Sequence, residues 1–167
     1  GGMAEQMVSD AIHALVTSDS ALAQRVISRV GDRLPVVVGV SAPGLAPMRE
    51  LTDAVMDMGA AGVMVAPPWT LSTDDQVYNY YASVGEALGN VPFVLQDYPL
   101  TTNVTIAPKV IERIVRDVPT CVMLKHEDWP GLSKISALRA SSEKGETRRI
   151  SILCGNGGLF LPEEMGR

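Results

Sequence analysis

Apolar residues gather in short runs that alternate with stretches of helical periodicity. Pro35 to Val40, Gly62 to Ala66, Phe93 to Gln96, Thr120 to Lys125 and Ile150 to Cys154 are such runs, rich in Val, Ile and Leu and bounded by Gly, Pro, Asn or Asp. Continuous apolar runs of that length predict strands buried on both faces, as in a parallel sheet covered by helices. On strand parity, Cys121, Met123 and Lys125 share one face, and Val122 and Leu124 the other.

The segments between the runs read as helices. Residues 5 to 30 are helical in pattern, with a restart at Asp19-Ser20 ahead of Ala21, Leu22, Val26 and Ile27. Met48 to Met58 places Leu51, Val55 and Met58 on one face, with Gly59 as its stop. Thr73 caps a helix running to Leu88. Further helices are predicted from Ala107 to about Arg116 and from Leu132 to about Ser142. Ser142 to Arg149 is polar and reads as a solvated loop, with Arg148 and Arg149 at the surface. A new helix is expected to begin after Gly155-Asn156-Gly157-Gly158.

Strand centres fall about 28 residues apart with a helix between each pair, which implies parallel strands joined by right-handed crossovers. An open doubly wound sheet and a (β/α)8 TIM barrel both satisfy that pattern. The barrel is favoured because polar residues suited to chemistry, Thr70, Gln96, Lys125 and Asn156, fall at several strand ends. No G-x-G-x-x-G follows any strand, which argues against a dinucleotide fold. The fold class is therefore α/β, a TIM barrel with about five to six βα units of the eight a barrel needs. Residues 1–167 are expected to form a single partial barrel domain, with the flanking units absent from this sequence.

Composition narrows the function without naming it. The 167 residues are 46% hydrophobic and 20% charged, with net charge −5 and a pI near 5.0. No basic patch appears, so nucleic acid is not an expected partner. No apolar run is long enough to span a bilayer and no secretory signal is recognisable, so no membrane partner and a cytoplasmic location are expected. Cys121 and Cys154 lie in apolar runs and read as buried, reduced thiols. The methionines Met48, Met56, Met58 and Met64 read as core filler.

Lys125 carries the chemistry. Lysine is almost never buried without a reason. At the end of a strand it is half-desolvated, which favours the neutral amine that a nucleophile requires. The alternative is a rim lysine paired with Glu127 or Asp128. His126, Glu127 and Asp128 are candidate metal ligands, but adjacent residues on an extended chain point in alternating directions, so no metal is expected. Gly155 to Gly158 is either a phosphate-binding helix start or a tight turn that lets backbone approach substrate, and the turn is preferred.

Leu124-Lys125-His126-Glu127-Asp128 resembles the lysine-bearing strand end of the dihydrodipicolinate synthase/N-acetylneuraminate lyase family. Ala60-Ala61-Gly62-Val63-Met64-Val65-Ala66-Pro67-Pro68 is similar to its G-A-D-G-hydrophobic-V-x-P-P segment. Val94-Leu95-Gln96-Asp97-Tyr98-Pro99 falls on its Y-N-x-P segment, and Leu153-Cys154-Gly155-Asn156-Gly157-Gly158 resembles its S-G-D-D turn. Gly1-Gly2-Met3-Ala4-Glu5 is either a remnant of its G-T-T-G-E loop or a tag scar. The resemblance implies a class I aldolase, in which Lys125 forms a Schiff base with pyruvate or another 2-oxo acid. It implies no cofactor, since the iminium is itself the electron sink, and it implies a homo-oligomer.

The same resemblance marks departures. The family's proton-shuttling tyrosine falls on Gln96, and a carboxamide cannot act as a general acid or base near neutral pH. Tyr98, two residues on, is the nearest replacement. The relay tyrosine falls near Trp69 or Thr70, and the arginine that grips the distal carboxylate falls on Thr101. The two threonines that hold the 2-oxo acid carboxylate fall on Gly2 and Met3, while Gly155 and Asn156 occupy the substrate turn. The expectation is a relative of dihydrodipicolinate synthase with a different second substrate or leaving group. A non-catalytic barrel relative, or a phosphate-binding barrel enzyme, is the alternative.

Overall fold

The computed structural model describes residues 20–31, 33–129 and 131–167. Helix α1 spans Ser20–Val30, and strand β1, Val37–Gly39, leads to helix α2, Leu45–Asp57. Strand β2, Gly62–Val65, is followed by helix α3, Asp74–Leu88, and strand β3, Phe93–Asp97, by the short helix α4, Pro99–Thr102. Helix α5, Pro108–Asp117, precedes strand β4, Cys121–His126, and helix α6, Leu132–Glu143, precedes strand β5, Ser151–Cys154. A 3-10 turn at Asn156–Gly158 and helix α7, Leu161–Met165, close the chain.

The five strands are parallel and lie in chain order, β1-β2-β3-β4-β5. A doubly wound sheet reverses direction at a switch point. This one never reverses, so its crossovers all fall on one side, as in the wall of a (β/α)8 barrel. Val63, Val65, Phe93, Leu95 and Leu124 face the helices and are fully buried. They meet Met48 of α2, Tyr81 and Val84 of α3, Ile111 and Ile114 of α5 and Leu138 of α6 in one core. The opposite face carries Met64, Val94 and Met123 in one cross-strand row and Gln96, Lys125 and Leu153 in the next.

Local chemistry fixes several boundaries. Thr73 caps α3 by accepting from the Gln76 N–H, and Gln76 returns the bond to the Thr73 N–H at 3.1 Å. Asp74 and Asp75 follow in the first turn, where acidic side chains suit the helix dipole. Where the β2 ladder ends, Tyr81 donates to the Val65 carbonyl at 3.1 Å and Tyr80 to that of Ala66 at 3.3 Å. These bonds tie α3 to the end of β2.

Four sequence expectations are corrected. Helix α2 starts at Leu45 and buries Met48 and Thr52, whereas Leu51 is 46% exposed. Thr52 tolerates the core because its hydroxyl donates to the Met48 carbonyl at 2.8 Å. In β4 a bulge breaks strict alternation: Phe93 pairs with Cys121 and Val94 with Met123. Cys121 is therefore buried on the helix side with Leu124, and Val122 is 39% exposed. Arg148 is not simply solvated, since its guanidinium donates to the Val118 and Cys121 carbonyls. Cys154 is only partly buried.

Candidate active site

Strands β3 and β4 run in register, so Gln96 lies beside Lys125 on the face away from the helices. Asp97 and His126, one residue further along, point to the helix side. The chain keeps its extended course beyond β4, and the Glu127 N–H donates to the Asp97 carbonyl at 2.9 Å. Glu127 thus returns to the face of Lys125.

Its carboxylate joins three strand ends. Oε2 accepts from Gln96 Nε2 at 2.9 Å. Oε1 lies 3.4 Å from Lys125 Nζ and accepts from the Asn156 backbone N–H at 3.4 Å. The Glu127 side chain is 7% exposed and that of Lys125 25%. Room for the carboxylate comes from position 155: a Cβ there would lie 2.0 Å from Glu127 Cγ and 2.7 Å from Cδ. Gly155 is in turn fixed by donating to the His126 carbonyl at 2.9 Å. A buried acid, an amine, a carboxamide and a backbone N–H therefore converge at the C-terminal rim of the sheet, the rim that bears active sites in barrels of this kind.

The expected site residues separate into groups. Lys125, Gln96, Gly155 and Asn156 come together around Glu127. Tyr98 leads into α4, its carbonyl accepting from the Thr101 and Thr102 N–H groups and the Thr102 hydroxyl. Among the described residues no hydrogen bond joins the Tyr98 hydroxyl to Lys125 or Glu127. Thr70 and Thr101 are exposed, in the loop after β2 and on α4 respectively. Gly2 and Met3 lie outside the described residues. The Gly158 N–H is taken by the Gly155 carbonyl at 2.8 Å, and that of Asn156 by Glu127, which leaves neither free to hold a phosphate.

Sequence reasoning offered Glu127 as a rim partner of Lys125 or a metal ligand, not as the centre of the cluster; its contacts with Gln96 and Asn156 bridge 31 and 29 residues. It overlooked Lys134 altogether. That ammonium, 6% exposed, donates to Asp97 at 2.7 Å and Asp128 at 2.6 Å on the helix side of the strand ends. His126 Nδ1 lies 2.9 Å from Glu164 Oε1, so His126, Glu127 and Asp128 each turn to a different partner. Among the described residues no three His, Cys, Asp or Glu side chains gather as a metal site. Burial pushes the Asp97 carboxyl above its usual value, and the Lys134 ammonium pulls against that shift.

The Dihydrodipicolinate synthetase family matches residues 14–163. The chain belongs to this family. It is 35% identical over 138 residues to 4-hydroxy-tetrahydrodipicolinate synthase of Thermus thermophilus, covering 82% of this chain and 44% of that protein. The corresponding enzyme of Desulforamulus reducens is 29% identical over 142 residues, covering 84% and 46%. Among solved structures, dihydrodipicolinate synthase from Rhodopseudomonas palustris superposes with a TM-score of 0.83 at 58% identity, covering 87% of this chain and 48% of that one. The chain thus spans about half the length of the relatives it matches. Within the family's barrel, the described strands form a continuous arc of wall, and the face bearing Lys125 is its interior.

Proposed function

We propose that the protein is a Schiff-base-forming lyase or aldolase acting on pyruvate or another 2-oxo acid, with Lys125 as its nucleophile. One observation carries the reading: Lys125 Nζ stands on the interior rim, one quarter exposed, beside a buried carboxylate held by Gln96 and the Asn156 N–H. The amine adds to the C2 carbonyl, water leaves, and the resulting iminium takes up electrons from the neighbouring carbon. Family membership and relatives named 4-hydroxy-tetrahydrodipicolinate synthase support that chemistry.

The second substrate differs from that of those relatives. Gln96 stands where the family pattern has its proton-shuttling tyrosine, and Thr101 where it has the arginine that grips a distal carboxylate. Both changes alter the site while leaving the lysine. A small-molecule 2-oxo acid and a homo-oligomeric, cytoplasmic enzyme complete the reading; no described helix is long and apolar enough to cross a membrane.

A non-catalytic barrel relative is the competing reading, favoured by the ion pair itself, which would hold a structural lysine equally well. Borohydride reduction in the presence of pyruvate separates the two. A covalent adduct on the wild type that is lost in Lys125→Ala supports the enzyme; an unmodified wild type supports the non-catalytic relative. Assay of 4-hydroxy-tetrahydrodipicolinate formation tests the altered substrate. Little or no product is expected, and turnover at the rate of adduct formation would contradict it.

A further inference from the structure

We propose that Glu127 is the proton shuttle for Schiff-base formation, a catalytic acid and base in contact with the reacting amine. The inference rests on Lys125 being the nucleophile. Gln96 is a carboxamide and cannot act as a general acid or base near neutral pH, and no hydrogen bond among the described residues brings Tyr98 to the amine. Glu127 Oε1, at 3.4 Å from Lys125 Nζ, is the one acid in ion-pair range of it among the described residues. A separation of this size suits a catalytic pair, since such contacts tighten on substrate binding.

The surroundings hold this carboxylate rather than merely accommodate it. Gln96 fixes Oε2 from β3, the Asn156 N–H meets Oε1 from the turn after β5, and Gly155 leaves the space that its Cγ and Cδ fill. Lys125 is the only ionisable side chain paired with it among the described residues. Asp97, Asp128, Lys134, His126 and Glu164 pair among themselves. Gln96 thereby has a role: it orients the acid that works in place of the tyrosine.

The proton balance closes with one carboxyl group. A proton passes from the Lys125 ammonium to Glu127, freeing the nitrogen lone pair. That pair forms the bond to C2 as the carbonyl π electrons move to oxygen, which takes the proton back from Glu127. Glu127 then removes a second proton from nitrogen and delivers it to the same oxygen. The C2–O bond breaks, water departs with both protons, and the nitrogen lone pair closes the iminium. The carboxylate is regenerated, and the positive charge that began on the ammonium ends on the iminium.

Quenched-flow trapping with pyruvate and borohydride, in the full chain, tests this. Glu127→Gln should form the Lys125 adduct at least about 10²-fold more slowly than the wild type, within the range for loss of general acid–base catalysis. Glu127→Ala should be slow and partly restored by formate but not by chloride. An adduct formed at the wild-type rate in Glu127→Gln overturns the proposal while leaving Lys125 as nucleophile. A slow Glu127→Ala variant that formate does not rescue also overturns it, since Glu127 then only packs. A wild type that forms no adduct overturns both the shuttle and the underlying lysine chemistry.

Discussion

The Glu127 carboxylate reaches its place because position 155 carries no side chain. A methyl group there would overlap Cγ at 2.0 Å and approach Oε1 to 2.9 Å, so the acid would have to swing away from Lys125. Gly155→Ala should therefore slow adduct formation by about 10²-fold, the scale of effect expected from misplacing a reacting group by an ångström. Circular dichroism should remain that of the wild type. A fully active Gly155→Ala protein would show that the carboxylate's position does not matter. At this scale the sequence was partly legible. Parity alone predicts that Lys125 and Glu127 share a face, as do Gln96 and Tyr98. What parity cannot give is the register between strands, and it is register that brings Gln96, Lys125 and Asn156 to one carboxylate.

At the scale of elements, the Lys134 cluster ties α6 to the ends of β3 and β4. Its ammonium is buried with the Asp97 carboxylate, for which it is the charge partner, and it also holds the partly exposed Asp128. Lys134→Met leaves Asp97 with an unpaired charge, which should lower stability by about 3–5 kcal/mol. Denaturant unfolding measures this, and a loss below about 1 kcal/mol, the scale of an exposed pair, would contradict the account.

Asp97 also sets a pH dependence. Burial raises its carboxyl above the unfolded value of 3.8, so the folded state holds this proton more tightly. The stability it contributes is complete below 3.8 and is lost as pH rises towards the raised folded value. The wild type should show that decline in unfolding free energy at mildly acidic pH, and Asp97→Asn should lack it. Equal slopes in the two proteins would contradict the assignment. Strands and helices of this scale were legible from apolar runs and periodicity. The α2 face was misread because Thr52 hides its hydroxyl in its own helix and so behaves as an apolar residue. The β4 bulge was invisible because it arises from pairing with β3.

For the whole molecule, regular repetition of strand and helix left an open sheet and a barrel, polar residues at several strand ends favoured the barrel, and the unreversed strand order bears it out. The interior face carries Leu153 at 47% exposure and Val37 at 41%, in an arc that corresponds to about half of the relatives' length. The site occupies the rim of that arc and draws its groups from β3, β4 and the turn after β5.

The most direct test of the account uses the four lysines of the chain, Lys109, Lys125, Lys134 and Lys144, as internal controls. After incubation with pyruvate and borohydride, peptide mass mapping should find the reduced adduct on Lys125, with the other three unmodified. Modification spread evenly over exposed Lys109 and Lys144, or absent from Lys125, would contradict the assignment of this amine as the nucleophile.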